Sequence, residues 1–483
     1  MKQSAARTAV SFVPVLVLVT LLAVHIGIYG SDSILGASQV ALLVSAGVCV
    51  LLSTLFFKTP WKAFETAIRN NFADVAGATL ILFLIGAVSG TWTMSGVVPS
   101  FIYYGVQLIS PRVFLPAACL ICAVVSVMTG SSWTTIATIG VALLGIGRAE
   151  GFTDGMVAGA IISGAYFGDK ISPLSDTTVM ASSVNRVPLF THIRYMLFTT
   201  VPSIVLALAV FAVLGWTHAG EGAARAGLFT TVLASKFHIT PWLLLVPVVT
   251  IVLIARRMPA LPVLSVSVLL AAVTALVFQP EVVGDIGAKV TGGSRAKILL
   301  AGTLESVYNT VSLTTGHPEV DGILTTRGMV GMLNTVFLIL CAMCYGACMQ
   351  ASGMIAGLAR ILSPLTRTRT GLVASTVVTG TGLNAVVSDQ YLSILLTSHL
   401  FGDTYRDQGY EQRLLSRSVE DSATVTSPLV PWSSCGMTQA TILSVPTLTY
   451  APFCLFNLVS PLMSIFVAAI GWKIVRSRAP GKR

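Results

Sequence analysis

The chain has 483 residues, 54% of them hydrophobic and only 10% charged, with a mean hydropathy of +0.84 and a net charge of +10. A soluble domain carries about 25% charged residues, so this composition excludes soluble globular classes and leaves polytopic membrane proteins. No long basic run occurs and aromatics are not interleaved with the basic residues, so the positive balance reads as basic cytoplasmic loops and not as nucleic-acid binding.

Residues 1–72 read as an N-terminal two-helix segment. Lys2 and Arg7 precede an apolar run of about 20 residues, the length of one membrane span. It has no clear cleavage site and a second span follows at once, so it reads as a first transmembrane helix and not as a signal peptide. Further apolar windows fall near residues 73–97, 112–147, 155–178, 195–215, 240–255, 260–278, 328–352, 371–401, 412–443 and 447–472. Asp74 begins the third window, where an acid favours the helix dipole. The pairs Cys119/Cys122 and Cys341/Cys344 lie in apolar stretches without His or acidic partners and read as packing residues.

Four windows carry polar interruptions. In 112–147 the interruption is Thr129-Gly130-Ser131-Ser132-Trp133-Thr134-Thr135; in 371–401 it is Thr379-Gly380-Thr381-Gly382-Leu383-Asn384. Each window reads as two short packed helices entering and leaving on one side, with Gly130 and Gly382 at the turns. Such hairpins persist at membrane depth only when buried in protein or lining a cavity. Windows 155–178 and 412–443 read as broken helices. The first contains Gly168-Asp169-Lys170-Ile171-Ser172-Pro173-Leu174-Ser175-Asp176-Thr177-Thr178, and the second Glu420-Asp421 followed by Ser427-Pro428-Leu429. Gly168, Pro173 and Pro428 are the expected break points, because proline removes a backbone donor and frees carbonyls.

The expected fold is therefore all-α, with about ten transmembrane helices plus two re-entrant hairpins. Both termini then share a side. Lys58/Lys62/Arg69, Arg186/Arg194, Arg256/Arg257, Arg360/Arg367/Arg369 and the basic tail 474–483 fall in the cytoplasm, and the mixed-charge segment Glu281 to Arg327 falls outside. Thr129-Gly130 precedes Gly168-Asp169 by the spacing at which Thr381-Gly382 precedes Glu420-Asp421. Residues 73–217 accordingly read as a repeat of 325–473, with 218–324 connecting them. The two hairpins enter from opposite sides, so the repeats are inverted, an architecture of secondary transporters.

A broken helix presents free carbonyls at one half-helix and free N–H groups at the other. The carbonyl end suits a small hard cation, and Ser132, Thr134, Thr135, Ser175 and Thr177 add the neutral oxygens such cations take. The acids nearest the breaks are Asp169, Asp176, Asp389 and Asp421; Asn384 is a neutral donor at the second turn, and Glu420 reads as facing the cytoplasmic rim. An ionised carboxylate at membrane depth costs several kcal/mol unless compensated, and a buried one can hold either a proton or a cation. The pattern points to Na+ held at Asp169, Asp389 and Asp421 in exclusion with H+, while Asp176 alternatively caps the following half-helix. The six histidines form no ligand cluster. No phosphate loop, catalytic triad or zinc spacing occurs, so neither an enzyme nor a cofactor is expected.

The string Tyr166-Phe167-Gly168-Asp169-Lys170-Ile171-Ser172-Pro173-Leu174-Ser175-Asp176-Thr177-Thr178 resembles the signature of the NhaC family of Na+/H+ antiporters. So do Asn384 with Ser388-Asp389-Gln390-Tyr391, and Ser418-Val419-Glu420-Asp421-Ser422 followed by Ser427-Pro428-Leu429-Val430-Pro431-Trp432. The resemblance covers most of the chain. It implies a multi-pass exchanger of Na+ and H+ in the lipid bilayer of the bacterial inner membrane. It also places the chain in the wider ion-transporter superfamily, whose members often form homodimers with an elevator-like motion. Relatives in the family exchange malate and H+ for Na+ and lactate, or resemble amino-acid carriers. No Arg is expected near a break at membrane depth, whereas an organic dianion usually takes a guanidinium fork. Simple cation/proton exchange is thus favoured over Na+-coupled organic-acid or amino-acid exchange.

Overall fold

The computed structural model describes residues 2–29, 36–218, 222–256, 258–355 and 366–474. Of the basic residues that set the expected orientation, Arg257, Arg360 and those beyond Ile474 lie outside the described residues. Among the described residues, eight helices are long and apolar enough to cross a membrane, or ten if each of two bent pairs is one span. Leu16, Leu206, Leu269 and Phe466 are exposed on them, which hydrocarbon tolerates and water does not. This is a multi-pass, predominantly helical membrane protein.

The first helices are α1 (Lys2–Tyr29), α2 (Ala37–Phe57) and α3 (Trp61–Met94). Asp74 lies well inside α3 and not at its start, because the helix begins right after Pro60. After α4 (Val97–Leu108) comes the first hairpin, α5 (Pro111–Thr129) and α6 (132–149), the latter with a π-helical turn at Ile136–Gly140. The first broken helix is α7 (Asp154–Ile171) and α8 (Asp176–Val184), followed by α9 (Leu189–His218).

The connecting region holds α10 (Gly222–Lys236), α11 (Leu245–Ala255) and α12 (Ala260–Phe278). It continues with α13 (Pro280–Ala288), α14 (Arg295–Tyr308) and α15 (Pro318–Ile323), beside the two-stranded ribbon β1 (Val311–Ser312) and β2 (Thr325–Thr326). This segment packs directly on α3: a Cβ on Gly90 would lie 1.9 Å from the Ser306 carbonyl oxygen.

The second half begins with α16 (Leu333–Ala351). Its hairpin is α17 (Arg369–Val387) and α18 (Gln390–Asp407). The second broken helix starts with α19 (412–424), whose last turn, Glu420–Thr424, is π-helical, and resumes after the break as α20 (Ser434–Leu443). Short α21 (Thr447–Tyr450) and α22 (Leu455–Ile470) complete the chain.

Two expectations about the hairpins are corrected. Their arms are not short: α5 and α17 have 19 residues each, about 28 Å of helix at 1.5 Å per residue. The second turn is not at Gly382 either. Gly380, Gly382 and Asn384 lie inside unbroken α17, and the chain reverses at Ser388, which adopts φ 63°. Gly168 is likewise inside α7 and breaks nothing. A Cβ there would lie 2.3 Å from the Ala123 carbonyl, so this glycine permits the close crossing of α5 and α7.

Candidate functional site

The tip of the first hairpin rests on the break of the first broken helix. Gly130 turns left-handed at φ 66°, and a Cβ on it would lie 2.6 Å from Leu174; only glycine fits both demands. Ser131 then caps α6, its Oγ accepting from the Thr134 N–H at 3.2 Å, with Thr134 Oγ1 3.1 Å away. Ser132 donates to Asp169 Oδ2 twice, from its N–H at 3.1 Å and its Oγ at 2.8 Å. Asp169, near the end of α7, is therefore held at the positive end of α6.

Pro173 sits in the break itself. Ser172 Oγ donates to the Val127 carbonyl at 2.8 Å, tying the break to the hairpin. Ser175 caps α8 and its hydroxyl lies 3.0 Å from that of Thr177. Asp176 is consequently not the cap: it occupies the first turn of α8 with its side chain exposed to the cavity described below.

The second tip follows the same local logic with different residues. Ser388 takes the left-handed turn, and Asp389 caps α18 by accepting from the Leu392 N–H at 3.0 Å. Ser434, at the start of α20, donates its N–H to the Ser388 carbonyl at 2.8 Å and its Oγ to Asp389 Oδ2 at 3.1 Å. Pro428 lies in a 3-10 turn that leads into the break. Asn384 points elsewhere: its amide donates to the Ala423 carbonyl at 2.6 Å and to Thr426 Oγ1 at 3.0 Å, stapling α17 to α19.

These elements enclose a cavity of about 1040 Å³. Asp169, Asp176 and Asp389 line it together with Ser132, Thr134, Ser175, Thr177 and Gly130. Among its described lining residues there is no Lys, Arg or His. Three acids and several hydroxyls face one space, which is the donor set of a hard cation. Trp133, Gln390, Tyr391 and Ser434 also line the cavity; sequence reasoning missed their part because nothing local marks them, beyond adjacency to the two tips.

Asp421 does not line this cavity. It is fully buried, and its Oδ1 is bound to the Lys170 ammonium, with Thr199 Oγ1 at 3.1 Å and Ser460 Oγ at 3.3 Å. Arg417, one turn earlier on α19, is also fully buried, with Nε 3.8 Å from Asp421 Oδ2 and its guanidinium 4.8 Å from the Tyr195 ring. A buried arginine therefore does lie on the second broken helix, one turn before Asp421, where none was expected. Glu420 is buried and not at a rim, and His192 is buried against Ser416 at 2.8 Å. The missed signal was Lys170 itself: a lysine inside apolar sequence needs an acid, and Asp421, 251 residues away, is that acid.

The profile of the Na+/H+ antiporter family matches residues 4–183 and 164–472. The chain belongs to the Na+/H+ antiporter family. It is 36% identical over 427 residues to the Na+/H+ antiporter NhaC of Alkalihalophilus pseudofirmus, covering 88% of this chain and 89% of that one. It is 35% identical over 435 residues to the malate-2H+/Na+-lactate antiporter of Bacillus subtilis, with 90% and 89% covered. The arginine/ornithine antiporter ArcD of Halobacterium salinarum is 31% identical over 468 residues, with 96% and 92% covered. The antiporter family thus includes relatives with inorganic and with organic cargo.

Proposed function

We propose that this antiporter exchanges Na+ for H+ across the bacterial inner membrane by alternating access, with Asp169, Asp176 and Asp389 taking Na+ or H+ competitively. Ser132, Thr134, Ser175 and Thr177 supply neutral oxygens. The observation that carries this reading is the cavity between hairpin tips and helix break, lined by three acids and no described base. Asp421 and Asn384 stand outside the ion shell, because neither lines the cavity and Asp421 is paired with Lys170. The order hairpin, broken helix occurs in 111–184 and again in 369–443, which supports a repeat of 73–217 in 325–473; their inversion is part of the proposal. The basic loops support cytoplasmic termini.

The test is a reconstituted vesicle with a preset pH gradient and a fluorescent pH reporter. Na+ alone collapses the gradient, and apparent Na+ affinity falls as pH falls because protons compete. A gradient that ignores Na+, or an affinity that is flat with pH, overturns the reading. A second reading has one observation in its favour. A cavity of about 1040 Å³ with Trp133 and Tyr391 on its walls is in the range that holds organic ligands. Na+-coupled exchange of an organic carboxylate would show as collapse only when malate, lactate or arginine accompanies Na+.

A further inference from the structure

The cavity is much larger than the ion proposed for it. A monovalent cation with a shell of about six waters, at about 30 Å³ of liquid volume each, fills roughly 200 Å³, whereas the cavity holds about 1040 Å³. Its wall is also divided in character. The hairpin tips and the first helix break contribute acids and hydroxyls, while α3, α8, α12 and α16 contribute Ile81, Met180, Leu261, Ile339 and Met343. Ile339 and Met343 are four residues apart and so share one face of α16. These side chains offer nothing to an inorganic ion. A few polar groups set in an apolar and aromatic wall are the make-up of a site for an organic ligand.

The three acids are not equally occupied. Asp169 accepts twice from Ser132, and Asp389 accepts from Leu392 and Ser434. The Asp176 carboxylate has no hydrogen bond or ion pair within the described residues, and the residue is exposed. Its helix is fixed to the one that Asp389 caps: Asn185 Nδ2 donates to Ser398 Oγ at 2.9 Å. Asn185 follows Asp176 by nine residues and Ser398 follows Asp389 by nine. At equal rise per residue the starts of α8 and α18 are therefore level, and both open on the cavity. Met180 lies one turn beyond Asp176 on the same face of α8, and Tyr391, on the first turn of α18, is 38% exposed. The free carboxylate thus shares the cavity with a thioether on its own helix and an aromatic ring on the neighbouring one.

An organic anion would meet three carboxylates in this space, whereas an organic ammonium is attracted by them. Aromatic faces also attract such a cation, and methionine adapts to the shape of its carbon body. We propose that the cavity also takes organic ammonium ions with an apolar body, in exclusion with Na+. Asp176 holds the nitrogen, and Tyr391, Met180 and the Ile339/Met343 face cover the carbon body. This rests on the reading of the cavity as a cation site and names a second class of cation for it.

The test uses the purified full-length protein, with methylammonium, butylammonium and phenethylammonium as probes at neutral pH. Na+ and each probe are titrated alone by calorimetry, and then each probe is titrated against Na+. A methylene that reaches the apolar wall strengthens binding about fourfold, so butylammonium binds ~10-fold or more tightly than methylammonium, and phenethylammonium more tightly again. Na+ weakens the apparent affinity of all three. Phenethyl alcohol, which partitions into detergent but carries no charge, leaves the Na+ titration unchanged. Affinity that does not rise along the series overturns the proposal, and so does Na+ that binds by itself yet displaces no amine. Asp176→Asn lowers phenethylammonium affinity by ~10-fold or more, and Tyr391→Ala lowers the ratio of phenethylammonium to methylammonium affinity by ~5-fold. Wild-type values in these folded variants would take the ligand away from Asp176 and Tyr391. Protein that binds Na+ but no amine refutes the proposal and leaves the exchange reading standing; protein that binds amine but no Na+ overturns the exchange reading instead.

Discussion

Asp169 and Asp421 look alike in the chain, each an acid shortly before a Ser-Pro-Leu break in a helix, yet they keep opposite company. Asp169 is bonded to a helix N-terminus and a hydroxyl and opens on a cavity with two more acids. Asp421 is bonded to a lysine, approached by an arginine and sealed from that cavity. Among the described residues no base lines the first group's cavity, whereas the second group is paired within the chain. Burial alone does not mark an ion site. What marks it is the sign of the charge left over.

That contrast makes the same substitution act differently at the two places. Asp421→Asn leaves Lys170 and Arg417 without their acid, and breaking a buried pair in this way costs about 3–5 kcal/mol. The expected outcome is poor yield and a lowered melting temperature in detergent, before any question of transport arises. A variant as stable as wild type would break the comparison. Asp169→Asn removes a charge that no base among the described residues neutralises, while its amide oxygen still accepts from Ser132. Stability in detergent stays within about 1 kcal/mol of wild type, and Na+-driven collapse of a pH gradient falls by ~100-fold or more. Retained exchange in Asp169→Asn vesicles would remove this residue from the site.

Asp389 tests how far the cavity group extends. Asparagine is as good a helix cap as aspartate, so Asp389→Asn keeps the Leu392 bond and the second tip. The charge goes, and at Oδ2 an amide N–H that can only donate replaces the acceptor of the Ser434 hydroxyl. Apparent Na+ affinity should weaken by ~10-fold, about 1.4 kcal/mol, with exchange recovered at high Na+. Unchanged affinity would confine the ion to the Asp169 side of the cavity.

Much of this contrast was legible in the sequence, and its gaps have physical causes. The broken helices, Gly130 at the first tip and the acids of the cavity all follow from polar residues that hydrocarbon rejects. The second tip was misplaced because Gly380 and Gly382 look like a break. A helix accommodates glycine where a neighbour packs close, as Ser422 Oγ does at 2.4 Å from a Cβ built on Gly380. Ser388 took the left-handed turn instead, and serine carries no local signal for that conformation. Asp421 was grouped with Asp169 because their flanking motifs match, and its neutralisation by Lys170 depends on a contact between distant segments. Arg417 was missed for the same reason: its depth is set by how α19 packs on α9, which periodicity does not reveal.

The smallest expected effect sharpens the cavity side of the comparison most, because its sign is informative. Ser132 Oγ donates to Asp169 Oδ2 at 2.8 Å, so the hydroxyl can either share the cation with Asp169 or compete with the cation for that carboxylate. Ser132→Ala removes the hydroxyl and leaves the N–H bond at 3.1 Å and the tip in place. If Ser132 turns its oxygen to the ion, one neutral ligand is lost, worth about 1 kcal/mol, and Na+ affinity drops ~5-fold. If the hydroxyl only occupies the carboxylate, affinity rises by a similar factor. The excess of acids in the cavity favours the first outcome: a hard cation needs more oxygens than the carboxylates alone present, and Ser132 already touches the atom that would bind it. Calorimetry on the purified variant at fixed pH reads the sign directly, and a rise in affinity would reassign Ser132 from ligand to gatekeeper of Asp169.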